Sequence, residues 1–210
     1  MDPLLIEVPS RLETSRLVLR CPQPGDGLRL NEAVRESIAD LRPWMPWAQA
    51  LPTPDESEAY CRRQQARFLL RDDLAYLIFE RAAGGAVGRL LGATGLHRID
   101  WTVRRFEVGY WARHGHAGQG FVSEAVRALT RTAFDQLGAL RVEVRMDERN
   151  EASQRVAEAA GFEFEAVLRL DKLDVNGTPR DTRVYAKVRS MPGADEARDV
   201  ADPTALAGPA

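Results

Sequence analysis

Residues 104–125 read RRFEVGYWARHGHAGQGFVSEA, an alternating segment that passes through a glycine-rich turn into an amphipathic pattern. The alternation predicts a strand over 105–112, and the pattern after the turn predicts a long helix that begins at Gly118. Gly115, Gly118 and Gly120 lie at the start of that helix. Glycines there let backbone N–H groups approach an anion, which the helix dipole also favours. The stretch therefore predicts a turn that holds a phosphate group.

Basic and hydroxyl side chains flank this turn. Arg113, His114 and His116 precede the helix and Ser123 lies in its first turn, where each suits a bound anion. The glycine order G-x-x-G-x-G differs from the P-loop, which ends in Gly-Lys-Ser/Thr, and reverses the dinucleotide fingerprint G-x-G-x-x-G. Histidines are common metal ligands, but no third ligand is close in sequence, and we expect no metal.

The composition is typical of one globular domain. The chain has 210 residues, 44% of them apolar, and its 29 basic and 31 acidic residues give a formal charge of −2. This charge argues against binding nucleic acid by neutralising phosphates. No apolar run approaches the ~20 residues that span a bilayer. With two cysteines and no signal peptide at its start, the sequence predicts a cytoplasmic protein.

The composition divides the chain into two regions. Residues 1–190 are expected to form a single domain. Residues 191–210 are rich in Pro, Gly, Ala and Asp without periodicity, and we expect a mobile tail there.

The remaining patterns predict a mixed α/β architecture with seven strands. Alternation and turn signals place these strands at about 15–21, 74–80, 86–98, 105–112, 140–147, 162–174 and 180–189. Asp26 and Asn150 are the expected N-caps of the first and fourth helices, and residues 53–56 (TPDE) predict a capping box for the second. The strands at 105–112 and 140–147, joined by the helix after the turn, are expected to be parallel.

Residues 41–47 (LRPWMPW) form a stiff, apolar segment after the first helix. Two interpretations are open. The segment is either a core plug under a loop, because Trp is usually well buried, or the rim of an acceptor groove. In the second case Trp44, Met45 and Trp47 contact the acceptor substrate, and His97 flanks the same groove.

Four segments together resemble the GNAT superfamily of acetyl-CoA-dependent N-acetyltransferases, and within it the RimJ/RimL-like ribosomal-protein N-terminal acetyltransferases. The segments are 12–20 (LETSRLVLR), 41–47, 107–125 and 150–162. The resemblance covers about residues 12–189. It implies the GNAT fold, a mostly antiparallel seven-stranded sheet flanked by helices whose central parallel pair splays. The pantetheine arm of acetyl-CoA then lies in the opening, and its pyrophosphate lies on the glycine turn.

By this resemblance, acetyl-CoA contacts the strand end, the turn and an N-x-x-S element, which comprise Tyr110, Trp111, Arg113, His114, Gly115, His116, Ala117, Gly118, Gln119, Gly120, Phe121, Ser123, Asn150 and Ser153. The backbone of Tyr110, Trp111 and Arg113 is the expected partner of the pantetheine amides. The sequence departs from the family pattern at two positions. Gly115 stands where the turn usually has Arg or Gln, and Ala157 stands where many relatives have Tyr.

The reaction implied by the resemblance is attack of a neutral amine on the acetyl thioester. An α-amine has an ordinary pKa of about 8, so a base that removes its proton accelerates the reaction. Glu107 is the candidate base, and the alternative is an ordinary strand carboxylate paired with Arg104 or Arg105. Ser153, Tyr110 or water is the candidate proton donor to the leaving thiolate, if one is needed.

The expected acceptor is the α-amine of a protein N-terminus, as in ribosomal-protein acetyltransferases. The same chemistry also fits a small amine such as an antibiotic, a polyamine or an amino-acid derivative. A different class is an acyl-CoA sensor with little turnover. No nucleic-acid or membrane partner is expected, and the oligomeric state stays open between a monomer and a homodimer.

Overall fold

The computed structural model describes residues 2–190, which fold around one eight-stranded sheet. The strands are β1 (Arg11–Glu13), β2 (Leu17–Arg20), β3 (Leu74–Arg81), β4 (Val87–Asp100), β5 (Arg105–Ala112), β6 (Arg141–Asp147), β7 (Glu163–Leu173) and β8 (Pro179–Val188). The α-helices are α1 (Gly27–Leu41), α2 (Pro54–Leu70), α3 (Phe121–Asp135) and α4 (Glu151–Ala159). The predicted fold class is confirmed, with one strand more than predicted. The tail predicted at 191–210 lies outside the described residues.

The additional strand is β1, which has only three residues and pairs with β2. A segment this short, with Leu12 as its one apolar residue, gives no periodic signal. The residues after it reach across to α3. The Glu124 carboxylate accepts hydrogen bonds from the Thr14 hydroxyl at 2.5 Å and from Arg16 Nε at 2.7 Å. The N-terminal segment is thereby fastened to the start of α3.

The sheet order is β1-β2-β3-β4-β5-β6-β8-β7, and within residues 2–190 only β5 and β6 pair in parallel. Their pairing runs from Arg105↔Arg141 to Glu107↔Glu143 and then stops. Because β5 continues to Ala112 without a partner in β6, the two strands splay. The predicted parallel, splayed pair is confirmed, and it opens one side of β5 to a ligand.

Strand β3 is buried on both faces and joins the two layers of helices. Leu77 and Phe79 pack in a cluster with residues of α1 and the middle of α2, whereas Tyr76 and Ile78 pack in a cluster with α3 and α4. Complete burial of each such apolar side chain stabilises the fold by about 1.5–3 kcal/mol. The two layers fix the position of β4 and β5 between them. Within residues 2–190, no helix combines the length and the apolar character that crossing a membrane requires.

Two of the three predicted helix caps are confirmed. The Thr53 hydroxyl accepts from Glu56 N at 3.1 Å while the Glu56 carboxylate accepts from Thr53 N at 2.7 Å, which completes the capping box of α2. Asn150 Oδ1 accepts from Ser153 N at 3.0 Å and caps α4. This second cap brings the side chain of Ser153 to a defined position beside β5.

The third prediction was wrong, because Asp26 occupies the N-cap position of α1 without capping it. Its carboxylate instead accepts two hydrogen bonds from the Arg20 guanidinium, each 2.6 Å long, and one from Gln23 N at 2.8 Å. A bidentate, charge-assisted pair is stronger than a single bond to a backbone N–H. The helix start is served by Glu58 of α2, whose carboxylate accepts from Gly27 N at 3.1 Å.

Candidate active site

The turn between β5 and α3 is built on three glycines in the left-handed region. Gly115, Gly118 and Gly120 have φ angles of 76°, 76° and 77°, a conformation that is strained for residues with a Cβ. A Cβ added to Gly115 or Gly118 would meet no atom within 4 Å. The turn therefore presents an open stretch of backbone to a ligand.

Backbone donors converge where this turn enters α3. Gly118, Gln119 and Gly120 have N–H groups without a hydrogen-bond partner among residues 2–190. The first N–H groups of a helix also lack partners within the helix, and its dipole adds positive potential. The predicted residues Ala117, Phe121 and Ser123 belong to the same turn and first helical turn. This set of donors fits the pyrophosphate of acetyl-CoA.

Arg16 is a basic residue at this turn that the sequence analysis missed. Its Nη1 donates to the Gln119 carbonyl at 3.1 Å, and its guanidinium lies 4.6 Å from the centre of the Phe121 ring. Its Nη2 would lie 3.5 Å from a Cβ on Gly120. Because 103 residues separate Arg16 from Gln119, no local motif indicates this contact.

The predicted basic residues just before the glycines contact α1. Arg113 is buried, and its Nε and Nη2 each lie 2.6 Å from the Glu36 carboxylate, whose pKa is lowered by these hydrogen bonds. Arg113 N donates to the Leu91 carbonyl at 2.7 Å. His114 Nδ1 lies 2.7 Å from Asp40 Oδ2. The side chains of Arg113 and His114 therefore fasten the turn to α1, which supports the backbone donors, while the His116 ring lies near Phe121.

Tyr110, Ser153 and Asn150 meet across the splay. The Tyr110 hydroxyl lies 3.0 Å from both the Ser153 carbonyl and the Ser153 hydroxyl, and Asn150 holds Ser153 through its cap. Burial raises the pKa of Tyr110 to about 12. The phenol is therefore protonated at neutral pH, and it donates a hydrogen bond to the Ser153 carbonyl.

A cavity of about 470 Å³ lies between α1, α2 and the middle of β4 and β5. Of the residues predicted to bind the acceptor, Met45, Trp47 and His97 line this cavity, whereas Trp44 does not. The indoles of Trp47 and Trp111 contact edge to face with centroids 6.3 Å apart. The segment at 41–47 thus supplies part of a cavity wall, as the second interpretation of it predicts.

Six polar residues that line this cavity were missed from the sequence, and they are Glu56, Ser57, Tyr60, Gln64, Asp73 and Thr94. Asp73 is 6% exposed, and both of its carboxylate oxygens lie 3.0 Å from His97 Nδ1. Tyr60 and Gln64 come from α2, and Gln64 Oε1 is buried without a hydrogen-bond partner in the described part of the chain. Apart from Thr94 of β4, each is distant in sequence from β5, so only the tertiary fold reveals that they share one cavity.

Glu107 stands apart from this cavity. It pairs with His97 across β4 and β5, but its Oε2 accepts from Arg98 Nη1 at 2.7 Å, and within residues 2–190 it is not among the residues that line the cavity. Its ion-pair partner is therefore Arg98 rather than Arg104 or Arg105. Its role as the base stays a prediction.

A splayed parallel pair beside a glycine turn at a helix start defines a class of acyltransferase that uses acetyl-CoA. The sequence profile of the acetyltransferase (GNAT) domain matches residues 16–163. The chain belongs to this family and is an acetyl-CoA-dependent N-acetyltransferase. The predicted RimJ/RimL-like character is also confirmed.

Individual relatives agree with this assignment. YdaF of Bacillus subtilis (strain 168), whose name proposes a ribosomal N-acetyltransferase, is 31% identical over 180 residues, 82% of this chain and 91% of YdaF. The ribosomal-protein-serine acetyltransferase of Escherichia coli (strain K12) is 33% identical over 102 residues, 47% of this chain and 55% of that protein. RimL, a ribosomal L7/L12 α-N-protein acetyltransferase solved with coenzyme A, has a TM-score of 0.75 at 22% identity, over 83% of this chain and 95% of RimL. That identity shows a shared fold.

Proposed function

We propose that this enzyme acetylates the α-amine of a protein N-terminus, with a ribosomal protein as the acceptor. The observation that carries the proposal is the cavity beside the splayed strands. Its walls are largely aromatic and aliphatic, and Asp73, His97 and Gln64 place hydrogen-bond acceptors among them. Acceptors of this kind suit an ammonium group followed by a peptide N–H. The names of YdaF and of the Escherichia coli relative support the same acceptor class.

The chain's own residues have separate tasks in this proposal. The backbone N–H groups of Gly118, Gln119 and Gly120, which are unpartnered among the described residues, and those of the first turn of α3 bind the coenzyme phosphates. Arg16 supports this turn through its bond to the Gln119 carbonyl. The exposed edge of β5 at Tyr110 and Trp111 binds the pantetheine amides. When bound, the coenzyme supplies an activated acetyl group. Holding the acceptor amine beside it accounts for a large part of the acceleration.

Tyr110 and Ser153 are the proposed source of the proton that the leaving sulfur takes up. Their hydroxyls are 3.0 Å apart, so a proton that Tyr110 gives to sulfur is replaced from Ser153, which then regains a proton from solvent. Asn150 holds this pair by capping α4. This arrangement would take the place of the tyrosine that many relatives have at the position of Ala157.

A coenzyme-release screen tests the acceptor. Short lysine-free peptides with different N-terminal residues are compared with the same peptides blocked at the α-amine, and with polyamines, aminoglycosides and amino-acid derivatives. We expect turnover only on free peptide N-termini, with mass spectrometry placing the acetyl group on the α-nitrogen. Turnover confined to small amines would refute the proposal, and tight acetyl-CoA binding without any turnover would favour a sensor.

The proposal also covers the domain boundary, the cellular location and the oligomeric state of the enzyme. Residues 1–190 are the proposed catalytic domain. A ribosomal-protein acceptor would place the activity in the cytoplasm. Sedimentation velocity on the full chain distinguishes a monomer from a homodimer.

A further inference from the structure

Asp73, which is buried, and His97, which is part-exposed, form an acid–imidazole pair on the cavity wall. Both Asp73 oxygens lie 3.0 Å from His97 Nδ1, and Arg67 Nη2 lies 3.4 Å from Asp73 Oδ2. An ionised carboxylate only accepts hydrogen bonds, so the proton of a neutral His97 ring belongs on Nδ1. The lone pair is then on Nε2, which has no hydrogen-bond partner within residues 2–190.

The His97 ring lies against backbone that only glycine can provide. A Cβ on Gly95 would lie 2.6 Å from His97 Cε1, and a Cβ on Gly109 would lie 3.1 Å from His97 Nε2. Gly109 is on β5, just beyond Glu107, where pairing with β6 ends. The unpartnered nitrogen is therefore held on the cavity wall at the start of the splay.

We propose that His97 is the general base of the acetyl transfer and that Asp73 is its positioning residue. This proposal rests on the proposed function, in which the acceptor arrives as a primary ammonium. His97 Nε2 takes one proton from that nitrogen. The bond from nitrogen to the acetyl carbonyl carbon then forms, and the carbon–sulfur bond breaks with its electron pair leaving on sulfur. The second proton lost by nitrogen is balanced by the proton that sulfur gains, and the imidazolium releases its proton to water.

Neighbouring titratable groups do not offer an equivalent acceptor. Glu107 is ion-paired with Arg98 at 2.7 Å, and it is not among the described residues that line the cavity. Asp73 is engaged by His97 and by Arg67 of α2. Burial, followed by the charge of Asp73, raises the pKa of Tyr60 to about 12, so this phenol stays protonated in the neutral pH range. The Glu56 carboxylate also lines the cavity, but its Oε2 accepts from Thr53 N and Thr53 Oγ1 in the capping box of α2. Among the described residues that line the cavity, His97 is the one with an unpartnered ring nitrogen that can accept a proton.

The test compares His97→Gln and Asp73→Asn with the matched control Asp135→Asn, since Asp135 is exposed at the end of α3. The acceptor is a short lysine-free peptide beginning with Ser, assayed between about pH 6 and 9. We expect His97→Gln to lower kcat on the order of 10²-fold or more. In the wild type, kcat/KM should decrease as the pH is lowered, and this decrease should be smaller in His97→Gln. Its acetyl-CoA dissociation constant should stay within twofold by calorimetry, and added imidazole should partly restore turnover by His97→Ala.

A second readout does not depend on the acceptor. Nitrogen-15 NMR of the His97 ring at alkaline pH should show the proton on Nδ1 in the wild type and in Asp135→Asn. In Asp73→Asn the side-chain amide that replaces the carboxylate can donate to Nδ1 of His97, so the ring proton should move to Nε2. The variant should then lose activity, because Nε2 no longer has a lone pair to accept the proton of the amine. A wild-type ring protonated on Nε2, or His97→Gln that retains kcat within threefold and an unchanged pH profile, would overturn the proposal.

Failure of the proposed function can be distinguished from failure of the proposal for His97. If the wild type does not acetylate the peptide, the proposed function fails, and the same variants are compared with spermidine as acceptor. If Glu107→Gln removes the decrease of kcat/KM at low pH, and His97→Gln keeps the wild-type pH dependence, the base is Glu107 instead.

Discussion

At the scale of single residues, Tyr110 links the splay to the stability of the fold. Its side chain is part-buried and its hydroxyl is bonded to Ser153, and loss of solvation raises its pKa from the ordinary 10.0 to about 12. Below pH 10 both the folded and the unfolded chain keep the phenolic proton. Above pH 10 the unfolded chain releases it first, so the free energy of unfolding falls as the pH rises toward about 12.

We therefore predict that Tyr110→Phe removes part of this alkaline destabilisation. Two pKa units correspond to about 2–3 kcal/mol, so between pH 9 and 12 the wild type should lose that much more stability than the variant. At pH 7 the variant should be less stable by about 1 kcal/mol, because it lacks the hydrogen bonds to Ser153. Urea unfolding across this pH range measures both effects, and parallel curves for the two proteins would contradict the prediction.

At the scale of elements, the proposed role of the turn and the helix start in coenzyme binding can be tested separately from backbone strain. Gly118 and Gly84 have φ angles of 76° and 67°, and a Cβ on either would meet no atom within 4 Å. Alanine at each should cost about 1–2 kcal/mol, from the left-handed backbone alone. Gly84 lies in the turn between β3 and β4, away from the site.

We predict that Gly118→Ala weakens coenzyme A binding about tenfold, a loss of ~1.4 kcal/mol, whereas Gly84→Ala leaves it unchanged. The reason is that the Cβ at Gly118 occupies space and stiffens backbone that a phosphate needs. Calorimetric titration with coenzyme A, alongside urea unfolding, checks the pair. Equal affinities at similar stability would show that the turn does not bind the phosphates.

The start of α4 has two proposed roles, which different substitutions at Asn150 separate. Its Oδ1 caps the helix, while its Nδ2 has no hydrogen-bond partner among residues 2–190. Asn150→Ala should cost about 1 kcal/mol through loss of the cap. Asn150→Asp keeps an oxygen acceptor and should restore stability.

We predict that Asn150→Asp does not restore turnover, because the amide N–H groups are still missing from the thiol end of the coenzyme site. Thermal unfolding and kcat for the three proteins measure the two roles independently. If Asn150→Asp recovers both stability and wild-type kcat, capping is the only role of Asn150.

Local chemistry made several of these elements predictable, and distance in sequence concealed the rest. The capping box at 53–56 and the β5–turn–α3 unit follow from residues a few positions apart. Asp26 shows the limit of such local reasoning, because Arg20 takes the carboxylate that a cap would use. The contacts Arg113–Glu36 and His97–Asp73 span 77 and 24 residues, and a single sequence gives no signal for them.

At the scale of the whole molecule, one sheet carries every part of the site. The glycine turn follows β5, the Tyr110–Ser153 pair proposed as the proton donor joins β5 to α4, and the cavity lies between β4, β5 and the first two helices. The two helix layers pack on opposite faces of the sheet, so the strands of the splay are held by the same core that stabilises the domain. Stability of the domain and assembly of the site are therefore expected to rise and fall together.

This coupling predicts where the chain can be shortened. Arg189 N donates to the Leu140 carbonyl at 2.9 Å, and Arg189 Nε donates to the Ala139 carbonyl at 3.0 Å, which fastens the end of β8 to the start of β6. A chain ending at residue 190 keeps these bonds. It should unfold at the wild-type urea midpoint and bind coenzyme A with unchanged affinity.

A chain ending at residue 186 is the matched control. It loses Arg189 and the pairing of Val188 with Arg141, which lies at the start of the parallel pair. We expect it to lose more than 1 kcal/mol of unfolding free energy and to bind coenzyme A more weakly, because Arg141 positions β6 where the splay begins. If the chain ending at 190 is destabilised as much as this control, residues 191–210 belong to the folded domain, and the boundary at 190 is wrong.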